Sequence, residues 1–256
     1  MNSCILFSLN HKLALVTGSS RGLGNVFARA MAEAGATVIL NGTNASTLEA
    51  AVKQMKEENF AVHGRAFDIG DPEACAQNIS EIEATIGPID VLINNAGIQL
   101  RAPMHEFDDR DWDRIVRINL SSMYYVSKHV VRGMMDRRAG KIINIGSVQS
   151  ELGRPTIVPY TATKGGVKML TKGMATEYGK YNIQVNGIGP GYFSTELTRP
   201  LVEDEKFNAW LCARTPAERW GDPAELKGAA IFLASDASSY VNGHMLYVDG
   251  GMTACV

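Results

Sequence analysis

Residues Lys12 to Gly35 constrain the fold more than any other stretch. Lys12-Leu13-Ala14-Leu15-Val16 is a short apolar run that predicts a buried strand. Thr17-Gly18-Ser19-Ser20-Arg21-Gly22-Leu23-Gly24 follows at once. Leu23, Val26, Phe27, Ala30, Met31 and Ala34 then recur at spacings of three and four, which predicts an amphipathic helix closed by Gly35. Strand, glycine-rich turn and helix in that order let a pyrophosphate approach bare backbone at a helix N-terminus. The Gly-x-x-x-Gly-x-Gly spacing departs from the common dinucleotide fingerprint, and a glycine turn alone also serves as a tight connection.

The alternation continues along the chain. Further strands are expected at 37–41, 60–67, 90–93, 141–145, 184–188 and 245–248. Helices are expected at 46–58, 72–86, 109–136, 159–178 and 223–234, with Asp71-Pro72 and Asp222-Pro223 as N-cap and first-turn proline. In the helix from Asp109, Trp112, Ile115, Val116, Leu120 and Met123 form one stripe. Strands alternating with helices imply an α/β fold: a parallel sheet covered on both faces, binding ligands beyond the strands' carboxyl ends. From 192 to 221 the periodicity weakens and polar residues rise, as in a substrate lid over the sheet edge.

A chain of 256 residues with 45% apolar content fits one large α/β domain, 1–256. A net charge of −2 gives no electrostatic support for a nucleic-acid or anionic-membrane partner. No apolar run of membrane-spanning length occurs, and Met1 to Asn10 lacks the basic start of a secretory signal. Cys4, Cys75, Cys212 and Cys255 are scattered, without metal spacing, and read as reduced thiols of a cytoplasmic protein.

Chemistry is expected at the strand ends. Tyr160 and Lys164, four apart, stand on one helix face, where an ammonium beside a phenol is expected to lower its pKa and make a general acid/base. Ser147 follows the fifth strand, and Asn119 lies within the apolar stripe, where its amide needs hydrogen-bond partners. A helix-bending role for Asn119 is equally open. The second strand ends in Asn41-Gly42-Thr43-Asn44, with no acid for a ribose 2′-hydroxyl, while Arg21 stands ready for a 2′-phosphate. That combination favours NADP(H), the alternative being that Arg21 is a solvated loop charge. Asp68, after the third strand, is expected on the adenine side. Ile145-Gly146-Ser147-Val148-Gln149 lacks the Gly-x-Ser-x-Gly elbow of a serine hydrolase, and the five histidines lack metal or triad spacing, so no metal is expected.

Taken in order, Thr17–Gly24, Asn94-Asn95-Ala96-Gly97, Asn119, Ser147, Tyr160/Lys164 and Pro190-Gly191 resemble the classical branch of the short-chain dehydrogenase/reductase family over nearly the whole chain. The resemblance implies a single Rossmann-type, doubly wound sheet of seven parallel strands, a nicotinamide cofactor and a homotetramer. It implies Ser147, Tyr160, Lys164 and Asn119 as the catalytic set, with Asn119 holding a water that links Lys164 to solvent. The cofactor contacts it implies begin with Gly18, Ser20, Arg21, Gly22, Leu23 and Gly24. Asn41, Thr43, Asp68, Ile69, Asn95, Ala96 and Gly97 follow, then Tyr160, Lys164, Pro190, Gly191, Phe193 and Thr195.

Gln149-Ser150-Glu151-Leu152-Gly153-Arg154, Pro190-Gly191-Tyr192-Phe193 and Arg219-Trp220-Gly221 resemble the family's sugar-acid branch, which interconverts D-gluconate and 5-keto-D-gluconate. For such a substrate Arg101 or Arg154 is expected on the carboxylate, with Gln149, Glu151 and Tyr192 on hydroxyls and Ser147 and Tyr160 at the ketone. Glu151 and Arg154 have the alternative of pairing with each other. A 3-oxoacyl thioester is the rival substrate, given some room by Trp210 and Trp220 in the lid, and a non-catalytic redox sensor is a third reading.

Overall fold

Seven strands form one parallel sheet in the order β3-β2-β1-β4-β5-β6-β7. The computed structural model describes residues 3–196 and 198–255; Leu197 of the expected lid and Val256 of the apolar tail lie outside them. In chain order the elements are β1 (Leu13–Val16), α1 (Gly22–Glu33), β2 (Thr37–Gly42), α2 (Ala45–Glu57), β3 (Val62–Ala66), α3 (Pro72–Thr85) and β4 (Val91–Asn94). Then come α4 (Asp109–Val116), α5 (Ser122–Arg137), β5 (Gly140–Ile145), α6 (Val158–Tyr178), β6 (Ile183–Pro190), α7 (Glu205–Arg214), α8 (Lys227–Ala234) and β7 (Met245–Val248).

The central strands β1, β4 and β6 are buried on both faces, so their apolar runs split by parity. In β1, Ala14 and Val16 join a core with Phe27 and Met31 of α1 and Leu233 of α8. Leu13 and Leu15 join the opposite core, with Ile79 and Ile82 of α3 and Val126 and Val130 of α5. Burying each such side chain contributes about 1.5–3 kcal/mol, which fixes the register of the central strands. Asn44 caps α2 by accepting from Thr47 N, and Asp71 caps α3 by accepting from Glu73 N and Ala74 N. The third strand is shorter than expected because its ladder ends where Gly42 pairs with Ala66.

Two expectations change. The long helix from Asp109 is interrupted at Arg117–Ser121 by one wide π-type turn that contains Asn119, a distortion common at functional sites. Ser122 Oγ donates to Ile118 O at 2.6 Å there, occupying a carbonyl beside the widened ladder. Trp112, assigned to the apolar stripe, is 42% exposed. The lid holds a short turn of helix at Arg199–Val202 and then α7, whose single fully buried side chain, Leu211, explains the weak periodicity. Phe193 bridges Gly221 and closes the excursion at its base. Among the described residues no helix is long and apolar enough to cross a membrane.

Candidate active site

The chain leaves β1 toward β2 on one side and later lays β4 on the other, so a crevice opens above the adjacent carboxyl ends of β1 and β4. Two turns meet there. Thr17 Oγ1 accepts from Asn95 N (3.0 Å) and Ala96 N (3.2 Å), and the Asn95 amide donates to Thr17 O (3.0 Å) and Gly18 O (3.1 Å). A Cβ on Gly24 would fall 2.2 Å from Gly18 O, so only glycine lets α1 sit this close to its own turn. Gly18 and Gly22 both take φ of +60°, a conformation that favours glycine.

The N-terminus of α1 differs from those of α2 and α3. No side chain caps it, and, unlike α3, its first turn holds no acid. Its leading N–H groups face the crevice over a turn without bulk, which fits an anionic pyrophosphate. Arg21 is exposed and has no ion-pair partner among the described residues; Ser20 lies beside the end of β2, its Oγ 3.3 Å from a Cβ built on Gly42. Thr43 is exposed at the same end. These groups suit the ribose side of a nucleotide carrying a 2′-phosphate.

Several residues expected at the cofactor are also held by the fold itself. Asn41 is not free to face a ribose. Its side chain accepts from Gly18 N (3.3 Å) and donates to Arg65 O (3.3 Å) and Phe67 O (3.1 Å), lashing the glycine turn to β3. Ile69 and Phe193 are buried in the cores, Phe193 against Gly221, so neither offers a side chain to the crevice. Asp68 accepts from Gly70 N at 2.8 Å and is exposed. Thr195 is tied to Thr198 by a pair of hydroxyls 3.0 Å apart at the start of the lid. Gly191 has a close-approach role, since its Cβ would fall 2.7 Å from Asp249 Cα.

The residues expected to be catalytic lie together beyond the ends of β4 and β5. Ser147 opens a tight turn at Val148–Ser150, and its Oγ accepts from Gln149 N at 3.1 Å. Ser150, which sequence reasoning passed over, donates from its Oγ to Lys164 O at 2.8 Å and so ties that turn to α6. The Ser-x-x-Ser capping pattern was its available signal. Lys164 is buried, its Nζ donating to Ile145 O at 2.7 Å and lying 5.6 Å from the Tyr160 ring centroid. Asn119 accepts from Ile98 N (2.8 Å) and donates to Ile98 O (2.9 Å) and Thr163 Oγ1 (3.4 Å). Its side chain thus clamps the segment that leaves Gly97.

The electrostatics correct one expectation. Desolvation pushes the Tyr160 phenol above its ordinary value, the Ser147 hydroxyl pulls it back in part, and Tyr192 adds to the rise. Burial also drives the Lys164 ammonium down, to about 8. Desolvation is the largest influence on the phenol and acts against the lowering that the four-residue spacing suggests.

The far end of the site is basic and aromatic. Arg154 donates from Nη1 to Tyr192 Oη at 3.0 Å, with its guanidinium 5.1 Å from the Phe207 ring centroid. Arg101 lies close enough that, after desolvation, the like charge of Arg154 lowers its pKa while Tyr192 raises it. The loops bearing the two arginines are joined by Ala102 N donating to Thr156 O at 3.1 Å. Neither arginine has an acidic partner among the described residues. Glu151 does not pair with Arg154; it pairs with Lys168 and accepts from Tyr247 Oη, which fastens the loop's start to α6 and β7. Tyr192 packs edge-on to Trp210 and Trp220, and Trp220 Nε1 donates to Asn208 at 2.7 Å. Met252 of the tail is buried with Val148 and Leu211, so this part of the tail's apolar surface serves the chain's own lid.

Comparison with known proteins agrees with this geometry. A family model described as enoyl-(acyl carrier protein) reductase matches residues 18–253. The gluconate 5-dehydrogenase of Gluconobacter oxydans (strain 621H) is 54% identical over 248 residues, covering 97% of this chain and 97% of that protein. The 5-keto-D-gluconate 5-reductase of Escherichia coli (strain K12) is 52% identical over 251 residues, covering 98% and 99%. A gluconate 5-dehydrogenase from Burkholderia cenocepacia J2315, solved in complex with NADP and tartrate, is 51% identical and superposes with a TM-score of 0.97 over 99% of each chain. With the seven-stranded parallel sheet, the paired turns at β1 and β4 and the Ser147, Tyr160 and Lys164 cluster, these matches mean that the chain belongs to the short-chain dehydrogenase/reductase family.

Proposed function

We propose that the protein is an NADP(H)-dependent oxidoreductase that interconverts D-gluconate and 5-keto-D-gluconate. The observation that carries the substrate is the pair Arg101 and Arg154, two guanidiniums without acidic partners among the described residues, meeting beside Tyr192. Like charges held together are costly unless an anion joins them, and a sugar-acid carboxylate supplies one. The sugar-acid relatives support the same substrate.

NADPH, when bound, supplies the hydride to the ketone carbon. The phenol of Tyr160 gives its proton to the carbonyl oxygen, and the Ser147 hydroxyl hydrogen-bonds that oxygen as charge develops. Lys164, anchored on Ile145 O and beside Tyr160, would bond the nicotinamide ribose of the bound cofactor. In the reverse direction the Tyr160 phenolate takes the proton of the alcohol. A raised phenol pKa means that reduction is served at neutral pH and oxidation gains as pH climbs.

The test is a rate panel of ketogluconates and a 3-oxoacyl thioester, each with NADPH and NADH. Changing Arg101 or Arg154 to Met is expected to cost at least about 1.5 kcal/mol of affinity for 5-keto-D-gluconate in one of the two variants, about tenfold, with little change toward a neutral ketone. Normal handling of the acid by both variants, or a wild-type preference for the thioester, ends the assignment. For the cofactor, Arg21→Ala should raise the KM for NADPH and leave that for NADH little changed; equal losses would remove the 2′-phosphate role.

The same reading takes the enzyme as a cytoplasmic homotetramer. The cysteines Cys75, Cys212 and Cys255 are free thiols. Tyr124 on α5 and Val158 and Met169 on α6 remain 51%, 39% and 62% exposed, apolar surface that subunit packing would cover. Sedimentation at micromolar concentration should find four subunits; a monomer alone would contradict it.

A further inference from the structure

Gln149 is more than nine-tenths buried, and its side-chain Oε1 has no hydrogen-bond partner. Arg65, Asn94 and Thr161 also carry an unpaired buried atom; Arg65 and Asn94 each make another side-chain bond, to Thr85 and to Ser127 and Asn144 respectively, and Thr161 lies on α6 rather than in the Ser147 turn. Gln149 stands apart by position. It follows Ser147 by two residues in the same tight turn, and its own backbone N–H donates to Ser147 Oγ. Val148 between them is packed against Leu211 and Met252 beneath the lid, so the turn is held from behind. A buried acceptor left unpaired is costly and uncommon, and a ligand is one source of the missing partner.

We propose that the Gln149 amide is a specificity determinant that hydrogen-bonds a hydroxyl on a carbon next to the reacting ketone. The inference rests on the reductase reading above and refines its substrate class. Ser147 meets the carbonyl oxygen, so a group rooted two residues away in the same turn reaches the neighbouring carbon. A hydroxyl both donates and accepts, so it satisfies an amide in either orientation, which a methylene cannot do. The C5 ketone of 5-keto-D-gluconate has hydroxyl-bearing carbons on both sides. A 3-oxoacyl thioester has none, and would leave the amide buried and unpaired, which is how a site built for a hydroxyl rejects a deoxy analogue.

The experiment compares wild type with Gln149→Met, an apolar side chain of similar length. It measures kcat/KM with NADPH for 5-keto-D-gluconate, its 4-deoxy and 6-deoxy analogues, and the neutral pair 1-hydroxy-2-butanone and 2-butanone. Wild type should favour the hydroxylated ketone over at least one deoxy partner by at least about tenfold. Gln149→Met should bring that ratio close to one, chiefly by lowering kcat/KM for the hydroxylated member. The KM for NADPH should hold, and the melting temperature without substrate should not fall, because the substitution removes an unpaired buried acceptor. An unchanged ratio in the variant overturns the inference. So does a uniform loss on all ketones accompanied by a lower melting temperature, which is the mark of a purely structural residue. If wild type ignores 5-keto-D-gluconate yet keeps its hydroxyl preference on the neutral pair, the sugar-acid assignment falls and the role of Gln149 stands.

Discussion

Tyr160→Phe is expected to lower turnover by about 10²–10⁴-fold in both directions, the usual range for losing a general acid/base. The ring stays, so its packing beside Lys164 and Ser147 survives, and only the transferable proton is lost. The KM for NADPH should change little, because the cradle for the phosphates is built by the turn at Gly18–Gly24 and the uncapped start of α1. The pH profile makes the prediction sharper. Desolvation raises the phenol pKa, so the phenolate fraction is small at neutral pH and grows as pH rises toward that value. In wild type, kcat/KM for alcohol oxidation should therefore climb through the alkaline range, and Tyr160→Phe should flatten the climb. A phenylalanine variant with near-normal turnover, or one that keeps the alkaline rise, would remove Tyr160 from the proton path.

The sequence made the sheet and its working edge legible because both depend on local signals. Apolar runs bounded by glycine and asparagine mark strand ends, and Gly18–Gly24, Asn94–Gly97, Ser147 and Pro190 all fall there. What it hid were properties set by distant neighbours. Asn41 drew attention because no acid stood nearby, yet its amide is consumed by Gly18, Arg65 and Phe67, which only the folded register brings together. Phe193 stands beside Tyr192, yet only its burial against Gly221 removes it from the crevice. The helix at Asn119 reads as one continuous apolar stripe, and the widened turn coincides with hydrogen bonds between Asn119 and Ile98, a contact outside the helix. Glu151 had Arg154 three positions on as its local partner; it pairs instead with Lys168, seventeen positions on, which only the fold brings near. Arg101 and Arg154 were each legible as cations, but their convergence needed the Ala102–Thr156 link.

The same limit applied to Lys164, and it leads to a result of mixed sign. An unfolded lysine has a pKa near 10.5, and burial holds Lys164 at about 8. Between those values the unfolded chain binds more protons than the folded one, so this contribution to stability rises with pH across the window and is most unfavourable below about 8. At neutral pH the shift corresponds to roughly 3 kcal/mol of destabilisation. Losing the bond from Nζ to Ile145 O costs back about 1 kcal/mol. Lys164→Met should therefore raise the melting temperature at pH 7 by several degrees, at about 2–4 °C per kcal/mol for a domain of this size. The gain should shrink as pH rises from about 8 through 10.5, above which the wild-type lysine is neutral in both states. Turnover should fall sharply in the same variant, and the KM for NADPH should rise, if Lys164 has the two proposed roles beside Tyr160 and at the ribose. A lysine kept charged in a desolvated niche is destabilising, and only a functional return explains why it is held there. A variant that is less stable than wild type at pH 7, or a stability difference that does not depend on pH, would show that Lys164 is not the strained charge its surroundings make it.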